Sequence, residues 1–575
     1  MRDRRNTILS ISSSGSTHSG RSSLSEKFGF SPPPSSPTLP EPVTKSHRRR
    51  LRYNRFALLK LLALGVASLL LVRAFLCWSP ESPPPWVGDA VSAVGQVGVP
   101  TANIVVDVSG HAKWTGSIPE SASFPLKGSQ YADMCREGEV LREQLQQSSR
   151  LARIPGVTLL KHLDRRRRSY YSHDWTYLDV SAVERSRGNA SSWDTTANVC
   201  NTSMTFVMES DEASFGKTLL MLWLSYGLAR HEKRAFFVDD SRWAYGKYST
   251  YFAPPPAEIC TPPPPHHTVP CPHQADHILV SAATAQWTFG SLFLKEFAPM
   301  QVFQFLREGY EDLFTLVGDD AGYAKARIAD LREDGAAHGS PVVGMQIRRG
   351  DLHPHEYQFS RDYLPLERYA AEARSLSQSL NTKHDTSDAR DETAASLLLA
   401  SDDPDILTSS DLAHAASPFP VQRAQERIQL ATKATLDRTS PVAPLREPGS
   451  AYVKHVQENA GWEGGFFSAL FYSLGGAQTQ TQTLVRLSQL PADAEAEGVA
   501  VPEQAMRMRE LVGRAYLLDL AVLGASEGVV CAVSSAGCRM LGVMMGWEAV
   551  RGGRWVNVDD GRAWSWEGRR AGAVA

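Results

Sequence analysis

The sequence predicts an α/β fold of two Rossmann-like lobes with a cleft between them, preceded by a single transmembrane anchor and a stem. Strand-like apolar runs alternate with helical patterns from about residue 200 to 308, and the same alternation restarts at Val342. The anchor is predicted at 56–78 (FALLKLLALGVASLLLVRAFLCW), where the only charges are Lys60 and Arg73.

The segment in front of this anchor is polar and ends in a cluster of arginines. Residues 1–55 are rich in Ser and Pro, which predicts a disordered cytoplasmic tail. The uncharged run Leu61–Val72 is shorter than the about 20 residues that a bilayer needs, but Lys60 and Arg73 can snorkel to the interface. Because the basic excess lies on the amino side, we expect type II topology with the rest of the chain in the lumen.

Beyond the anchor we expect a stem and entry region at 79–195, a first lobe at 196–340 and a second lobe at 341–575. The predicted helices are a charged stretch near Glu137–Arg153, Phe215–Arg230, Trp287–Glu308, Glu503–Leu523 and one through Met545. The predicted strands are Arg234–Asp239, His277–Ser281, a strand from Val342, Ser396–Ala400 and Gly528–Val533. The polar stretches Ser375–Thr393 and Gln478–Glu497 are predicted to be surface insertions.

Charge and cysteine content narrow the function classes. A net charge of −2 gives no basic field for a nucleic-acid partner, so we expect none. Only Cys77 precedes residue 100, and the other six cysteines are typical of disulfides in an oxidising compartment. The sequons at Asn189 and Asn201 lie on the predicted lumenal side and agree with this topology.

The segment Val342–Asp351 (VVGMQIRRGD) is an apolar strand that runs into two arginines. Ligands of open α/β sheets bind beyond the carboxyl ends of the strands, and a guanidinium group suits phosphate oxygens. Arg348 and Arg349 are therefore candidate phosphate ligands, and the alternative is an ordinary solvated strand end.

Asp519 is a carboxylate on a helix with an apolar stripe formed by Leu511, Ala515, Leu518 and Val522. A carboxylate in such surroundings needs hydrogen-bond donors. A base with two adjacent N–H donors, such as guanine, would supply them. The alternatives are a helix-to-loop hydrogen bond and a buried arginine pair.

The turn Cys531–Cys538 (CAVSSAGC) follows a predicted strand and leads into a helix. Small and hydroxyl residues at such a turn form an anion-receptive helix start. The two cysteines could form a local disulfide or belong to a thiol metal site, although this spacing is poor for zinc.

Together, four motifs resemble the α1,6-fucosyltransferase superfamily over roughly 200–556. These motifs are VVGMQIRRGD, SDDP at 401–404, RAYLLDLA at 514–521 and VVCAVSSAGCR at 529–539. The resemblance implies a GT-B-like fold with an acceptor-side first lobe and a second lobe that binds the GDP-sugar. The family's C-terminal SH3-like domain has no counterpart in this sequence.

The resemblance also implies roles for individual residues. Arg348 matches the essential pyrophosphate-binding arginine, Arg349 its neighbour, and Asp351 the aspartate that closes the motif. Asp519 resembles the guanine-binding aspartate. Gln346 stands at a guanine-contact position where the family often has histidine.

Two serines, a glutamate and two cysteine pairs complete the implied site. Ser535, with Ser534 beside it, matches a serine that meets the phosphates, and Glu356 lies at the spacing of the proposed general base. The resemblance also implies the disulfides Cys531–Cys538 and Cys200–Cys260.

The implied function is an inverting transfer of fucose from GDP-fucose to a glycan or glycoprotein hydroxyl, with α1,6 transfer to the N-glycan core GlcNAc as one acceptor. No cofactor and no metal would be needed. We expect a Golgi membrane protein with a lumenal catalytic domain. The sequence leaves open whether the protein forms a homodimer. The alternatives are a catalytically inactive nucleotide-sugar or glycan-binding relative, and a transferase of related fold that uses another nucleotide sugar.

Overall fold

The computed structural model describes residues 99–151, 169–186, 198–209, 214–349, 363–384, 396–430, 432, 503–559 and 563–568. All of them belong to one compact unit, Pro83–Ala575. The predicted tail at 1–55 and the predicted anchor at 56–78 lie outside the described residues. Among the helices of the described ranges, none combines the length and the apolar character needed to cross a membrane.

A hairpin and a long helix form the first described part of the chain. Strands β1 (Thr101–Val106) and β2 (Ala112–Ser117) pair antiparallel, and helix α1 (Gly128–Leu151) packs on them. The helix predicted near Glu137–Arg153 is thus confirmed, although it begins earlier. A short helix, α2 (Val180–Ser186), follows.

The first lobe contains a three-stranded parallel sheet in the order β4-β3-β5. Its strands are β3 (Ser203–Val207), β4 (Ala235–Asp239) and β5 (His277–Val280). Helix α3 (Phe215–Glu232) joins the first two, and Ser214 caps it by accepting a hydrogen bond from the Lys217 N–H at 3.1 Å. The helix and both strands predicted in this region, 215–281, are confirmed.

The helix predicted at Trp287–Glu308 is wrong as a single element. The structure has three helices here, α4 (Ala285–Phe289), α5 (Ser291–Glu296) and α6 (Pro299–Leu313). Proline fits the first turn of a helix but disfavours helical backbone in the residue before it, so Ala298 is extended and α6 starts anew at Pro299. Gly290 is also extended and separates α4 from α5.

The second lobe contains a five-stranded parallel sheet in the order β10-β9-β6-β7-β8. Its strands are β6 (Val342–Ile347), β7 (Ser396–Ser401), β8 (Val421–Arg423), β9 (Gly528–Cys531) and β10 (Trp555–Asn557). The chain runs from β6 outward to β8 and then returns to the other side of β6 with β9. This reversal of strand order is the switch point at which open α/β sheets bind ligands.

Helices cover both faces of this sheet. They are α7 (Gly318–His338), α8 (Leu366–His384), α9 (Ser410–Ala416), α10 (Glu503–Gly524), α11 (Ala536–Met545) and α12 (Trp547–Arg551). The long helix predicted before β9 and the helix predicted after it, through Met545, are confirmed as α10 and α11. Helix α7 contacts β6 and α10, although the predicted lobe boundary at residue 340 assigns it to the first lobe.

The surface insertion predicted at Ser375–Thr393 is wrong over its first ten residues, because α8 continues to His384. Leu376, Ser377 and Leu380 are buried against the sheet. Leu376 and Leu380 share the core with the strand residues, so a polar-looking sequence forms a core helix. The second predicted insertion, Gln478–Glu497, lies outside the described residues.

The two lobes share one hydrophobic core. Helix α11 packs on α3 and α6, and the Arg307 guanidinium of α6 donates to the carbonyls of Val543 and Met544 at 2.8 and 2.6 Å. The rings of Phe215 and Tyr516 also meet, with centroids 5.7 Å apart. The sheets are therefore held in a fixed relation by packing as well as by the connecting chain.

Three disulfides join the six cysteines beyond residue 100. Cys531–Cys538 and Cys200–Cys260 are confirmed, which rules out a thiol metal site at the 531–538 turn. Cys135–Cys271, which was not predicted, ties α1 to the first lobe.

Candidate functional site

The side chains of β6 alternate between the two faces of the second sheet. Val343, Met345 and Ile347 pack in the core on the α8 side. Gln346 therefore points to the opposite face, which α10 covers. Arg348, two residues further on, continues this face beyond the end of the strand.

A small pocket lies on this face at the carboxyl edge of the sheet. It is lined by residues from the ends of β6 and β7, from α10, from the start of α11 and from the segment after β8: Gln346, Arg348, Ala400, Ser401, Asp402, Leu430, Val512, Ala515, Tyr516, Asp519, Leu520 and Ser535. Four of the predicted site residues thus share one pocket at the switch point of the sheet. Its volume of about 30 Å³ takes one or two waters, so a nucleobase enters only when lining side chains move.

Asp519 lies on α10 and reaches the pocket from the helix side. Burial raises the pKa of its carboxyl well above the usual range, and the nearby Arg423 guanidinium offsets this only in part. The side-chain amide and the backbone N–H of Gln425 also lower this pKa, so the carboxyl lies beside the segment that follows β8. This helix-to-loop contact is the kind considered as an alternative, and the carboxyl also lines the pocket.

Gln346 is buried, and its Oε1 has no hydrogen-bond partner among the described residues. A buried acceptor without a donor is rare in native proteins, and a water or a ligand can supply the missing donor. Its amide lies against Gly537, where an added Cβ would be 3.2 Å from Nε2. A larger residue at 537 would therefore crowd this amide.

The two adjacent arginines have different surroundings. Arg348 lines the pocket. The backbone N–H of Arg349 donates to Asp402 Oδ1 at 2.7 Å, and its guanidinium lies over the Tyr363 ring, 5.3 Å from the centroid. Arg349 is thus directed at the loop after β7 and at Tyr363, and it is not among the residues that line the pocket.

Ser535 is the N-cap residue of α11, but its side chain does not cap the helix. The first backbone N–H groups of a helix lack intrahelical acceptors and favour anions. The Cys531–Cys538 disulfide closes the turn that presents this helix start to the pocket. Ser534 is half-buried and does not line the pocket.

Glu356 and Asp351 lie in the segment 350–362, outside the described residues. Gln425 and Tyr516 were not predicted as site residues, but both lie near Asp519 in the structure. Tyr516 lies one turn from Asp519 on the same predicted helix, and this spacing could have identified it. Gln425 follows a three-residue strand, and no sequence pattern points to it.

A larger cavity, about 1080 Å³, lies at the amino ends of the first-lobe strands. Inside it, Glu232 accepts from Arg234 Nε at 3.0 Å and meets His273 Nε2 at 2.7 Å, while His273 Nδ1 meets the Tyr170 hydroxyl at 2.9 Å. These polar groups bind one another and hold 169–177 to the lobe. None of the predicted site residues lines this cavity.

Neither a protein-family model nor a curated protein matches the chain. Among solved structures, a NodZ α1,6-fucosyltransferase soaked with GDP-fucose is 12% identical, and the match covers 60% of this chain and 92% of that chain with a TM-score of 0.30. NodZ fucosyltransferase from Bradyrhizobium is 12% identical over 59% of this chain and 92% of that chain, with a TM-score of 0.28. NodZ α1,6-fucosyltransferase co-crystallised with GDP is 11% identical, and the match covers 59% of this chain and 91% of that chain with a TM-score of 0.27. TM-scores this far below 0.5 establish neither a shared fold nor a shared function.

Proposed function

We propose that this protein is a glycosyltransferase that moves fucose from GDP-fucose to a hydroxyl group of a glycan, with inversion and without a metal ion. The observation that carries the proposal is the pocket at the sheet's switch point, where Gln346, Arg348, Asp519 and Ser535 meet. Sequence segments more than 170 residues apart supply these four side chains.

The nucleobase end of the pocket is Asp519 with Gln346. The two oxygens of one carboxylate match the two adjacent N–H donors on the Watson–Crick edge of guanine. The Gln346 amide carries both a donor and an acceptor, so it can pair with a base edge as well. A uracil base lacks the two adjacent donors, and this difference favours GDP over UDP.

The diphosphate end is Arg348 with the start of α11. When the sugar–phosphate bond breaks, negative charge develops on the GDP leaving group. The Arg348 guanidinium and the first backbone N–H groups of α11 would stabilise that charge from fixed positions.

We assign the role of general base to Glu356, which would take the proton from the acceptor hydroxyl. Its place ten residues after Gln346, in the chain that leaves the carboxyl end of β6, supports this assignment. Glu356→Gln should abolish transfer while GDP binding is kept. Full transfer activity in this variant would remove Glu356 from the role.

The N-glycan core, the α1,6 linkage and the Golgi lumen belong to the same proposal. The three disulfides support an oxidising compartment, and the apolar segment 56–78 supports a type II anchor.

The test is a nucleotide-release assay and a GDP titration on the purified full-length chain, with a panel of nucleotide sugars and glycan acceptors in the presence of EDTA. We expect acceptor-dependent release of GDP from GDP-fucose that EDTA leaves unchanged. GDP binding without release from any GDP-sugar would instead show an inactive relative, and release from another nucleotide sugar would show a different donor. Loss of activity in EDTA that added metal restores would contradict metal independence.

A further inference from the structure

The carboxyl of Asp519 is held by a residue from outside its own helix. Gln425, in the segment that follows β8, is buried and lies beside this carboxyl, and its side-chain amide and backbone N–H both lower the pKa of the carboxyl. The same side-chain amide is fixed at both ends, because Nε2 donates to the Ile428 carbonyl at 2.8 Å and Oε1 accepts from the Ile428 N–H at 3.0 Å. The amide therefore presents one fixed orientation to the carboxyl beside it.

Helix α7 holds the backbone around Gln425. Arg327 donates to the Ala424 carbonyl at 3.2 Å and to the Arg423 carbonyl at 3.0 Å. On the other side of Gln425, the N–H of Glu426 donates to the Tyr323 hydroxyl at 2.8 Å. The residues before and after Gln425 are thus both bound to one rigid helix.

Asp320 links this segment to the helix that carries Asp519. It accepts from Arg427 Nε at 2.9 Å, and from Arg514 of α10 through Nε and one terminal nitrogen at 2.6 and 2.9 Å. Burial would raise the pKa of Asp320, but the hydrogen bonds and charges of the two arginines outweigh it and hold the pKa below the usual value. An ionised Asp320 therefore keeps α7, α10 and the Gln425 segment together.

We propose that Gln425 is a positioning residue for nucleobase selectivity. It holds the Asp519 carboxylate so that one oxygen faces each of two adjacent N–H donors on the base. This inference rests on the proposed function and goes further: it assigns the preference for guanine over hypoxanthine, which lacks the second donor, to a residue that need not touch the nucleotide.

The test compares GDP with inosine diphosphate in calorimetric titrations of the full-length chain. Wild-type protein should bind GDP more tightly than inosine diphosphate. Gln425→Met keeps the length of the side chain and removes its amide, so it should lower the ratio of the two affinities by roughly tenfold, the value of one hydrogen bond to a charged group.

Gln274→Met is the matched control. The Gln274 amide is also bonded to backbone at both ends, because Oε1 accepts from the Asp174 N–H at 2.5 Å and Nε2 donates to the Asp174 carbonyl at 3.0 Å. Gln274 lines the larger cavity of the first lobe. This variant should keep the wild-type affinity ratio. If Gln425→Met does not fold, Tyr323→Phe removes one anchor of the segment and should lower the ratio in the same direction by a smaller factor.

Equal losses of affinity for both nucleotides, or an unchanged ratio in a folded Gln425→Met and in Tyr323→Phe, would overturn the inference and leave the proposed function standing. A wild-type protein that binds neither nucleotide would overturn the proposed function, and the inference with it.

Discussion

Replacing Asp519 by asparagine separates the binding role of this residue from its effect on stability. The change keeps the shape of the side chain and one carbonyl oxygen that can still face Gln425. It removes the negative charge and turns the second oxygen into an NH₂ donor. Guanine would then keep one of its two hydrogen bonds and find a donor opposite the other.

The size of the binding loss follows from the lost hydrogen bond. A hydrogen bond to a charged acceptor contributes about 1.5–3 kcal/mol, so GDP affinity should fall by about 10- to 150-fold. The free energy of unfolding, in contrast, should increase in this variant near neutral pH. Because burial raises the pKa of Asp519 above its unfolded value of about 3.9, its ionisation weakens the fold as the pH rises through the raised pKa. The Asp519→Asn variant has no such penalty and should give a higher Tm near neutral pH, with no advantage in acid.

Calorimetry with GDP and thermal unfolding at several pH values measure both effects. Wild-type protein should also bind GDP more tightly as the pH rises through the pKa of Asp519, and release a proton on binding below that pH. Buffers that differ in ionisation enthalpy reveal this proton in the observed heat. Unchanged GDP affinity in Asp519→Asn, or a lower Tm at neutral pH, would refute the reasoning.

Three further predictions follow from the described contacts. Arg348→Ala should lower the rate of GDP release by about 10²–10³ with an unchanged Tm, and near wild-type turnover in the folded variant would count against the phosphate role. Gly227→Ala should destabilise the protein by about 1–3 kcal/mol, because the added Cβ would lie 2.2 Å from the Phe305 carbonyl oxygen where α3 crosses α6. Gly322→Ala in α7, where a Cβ meets nothing within 4 Å, is its control and should stabilise by about 0.5–1 kcal/mol; an equal Tm for both alanine variants would contradict the packing argument. Removing Cys135–Cys271 should cost roughly 5 kcal/mol and removing Cys531–Cys538 roughly 2.5 kcal/mol, since the loops they close differ greatly in length. Only the second removal should weaken GDP binding, and denaturant unfolding with a GDP titration checks both.

The central strands and the meeting of Arg348, Asp519 and Ser535 could be predicted from the sequence. β6, β7 and β9 are apolar runs buried on both faces, which is the strongest strand pattern a sequence can carry. Parallel strands end at one edge, so residues after β6 and after β9 must lie near each other. The roles of these residues remain predictions.

Other parts of the fold carry little local signal. β8 and β10 have only three residues each. They are strands because they pair with β7 and β9, and their composition does not indicate it. Helix α8 does have an apolar stripe, at Leu366, Ala370, Ala373 and Leu380, but the serines between hide it. Gln425 acts through tertiary contacts with α7 and α10, and no sequence spacing encodes those.

The most direct test of the central claim is an experimental structure of the full-length chain with GDP. We expect guanine with its N1 and N2 donors on the Asp519 carboxylate, and the diphosphate between the Arg348 guanidinium and the start of α11. GDP bound in the larger first-lobe cavity, or bound with its phosphates away from Arg348, would contradict it.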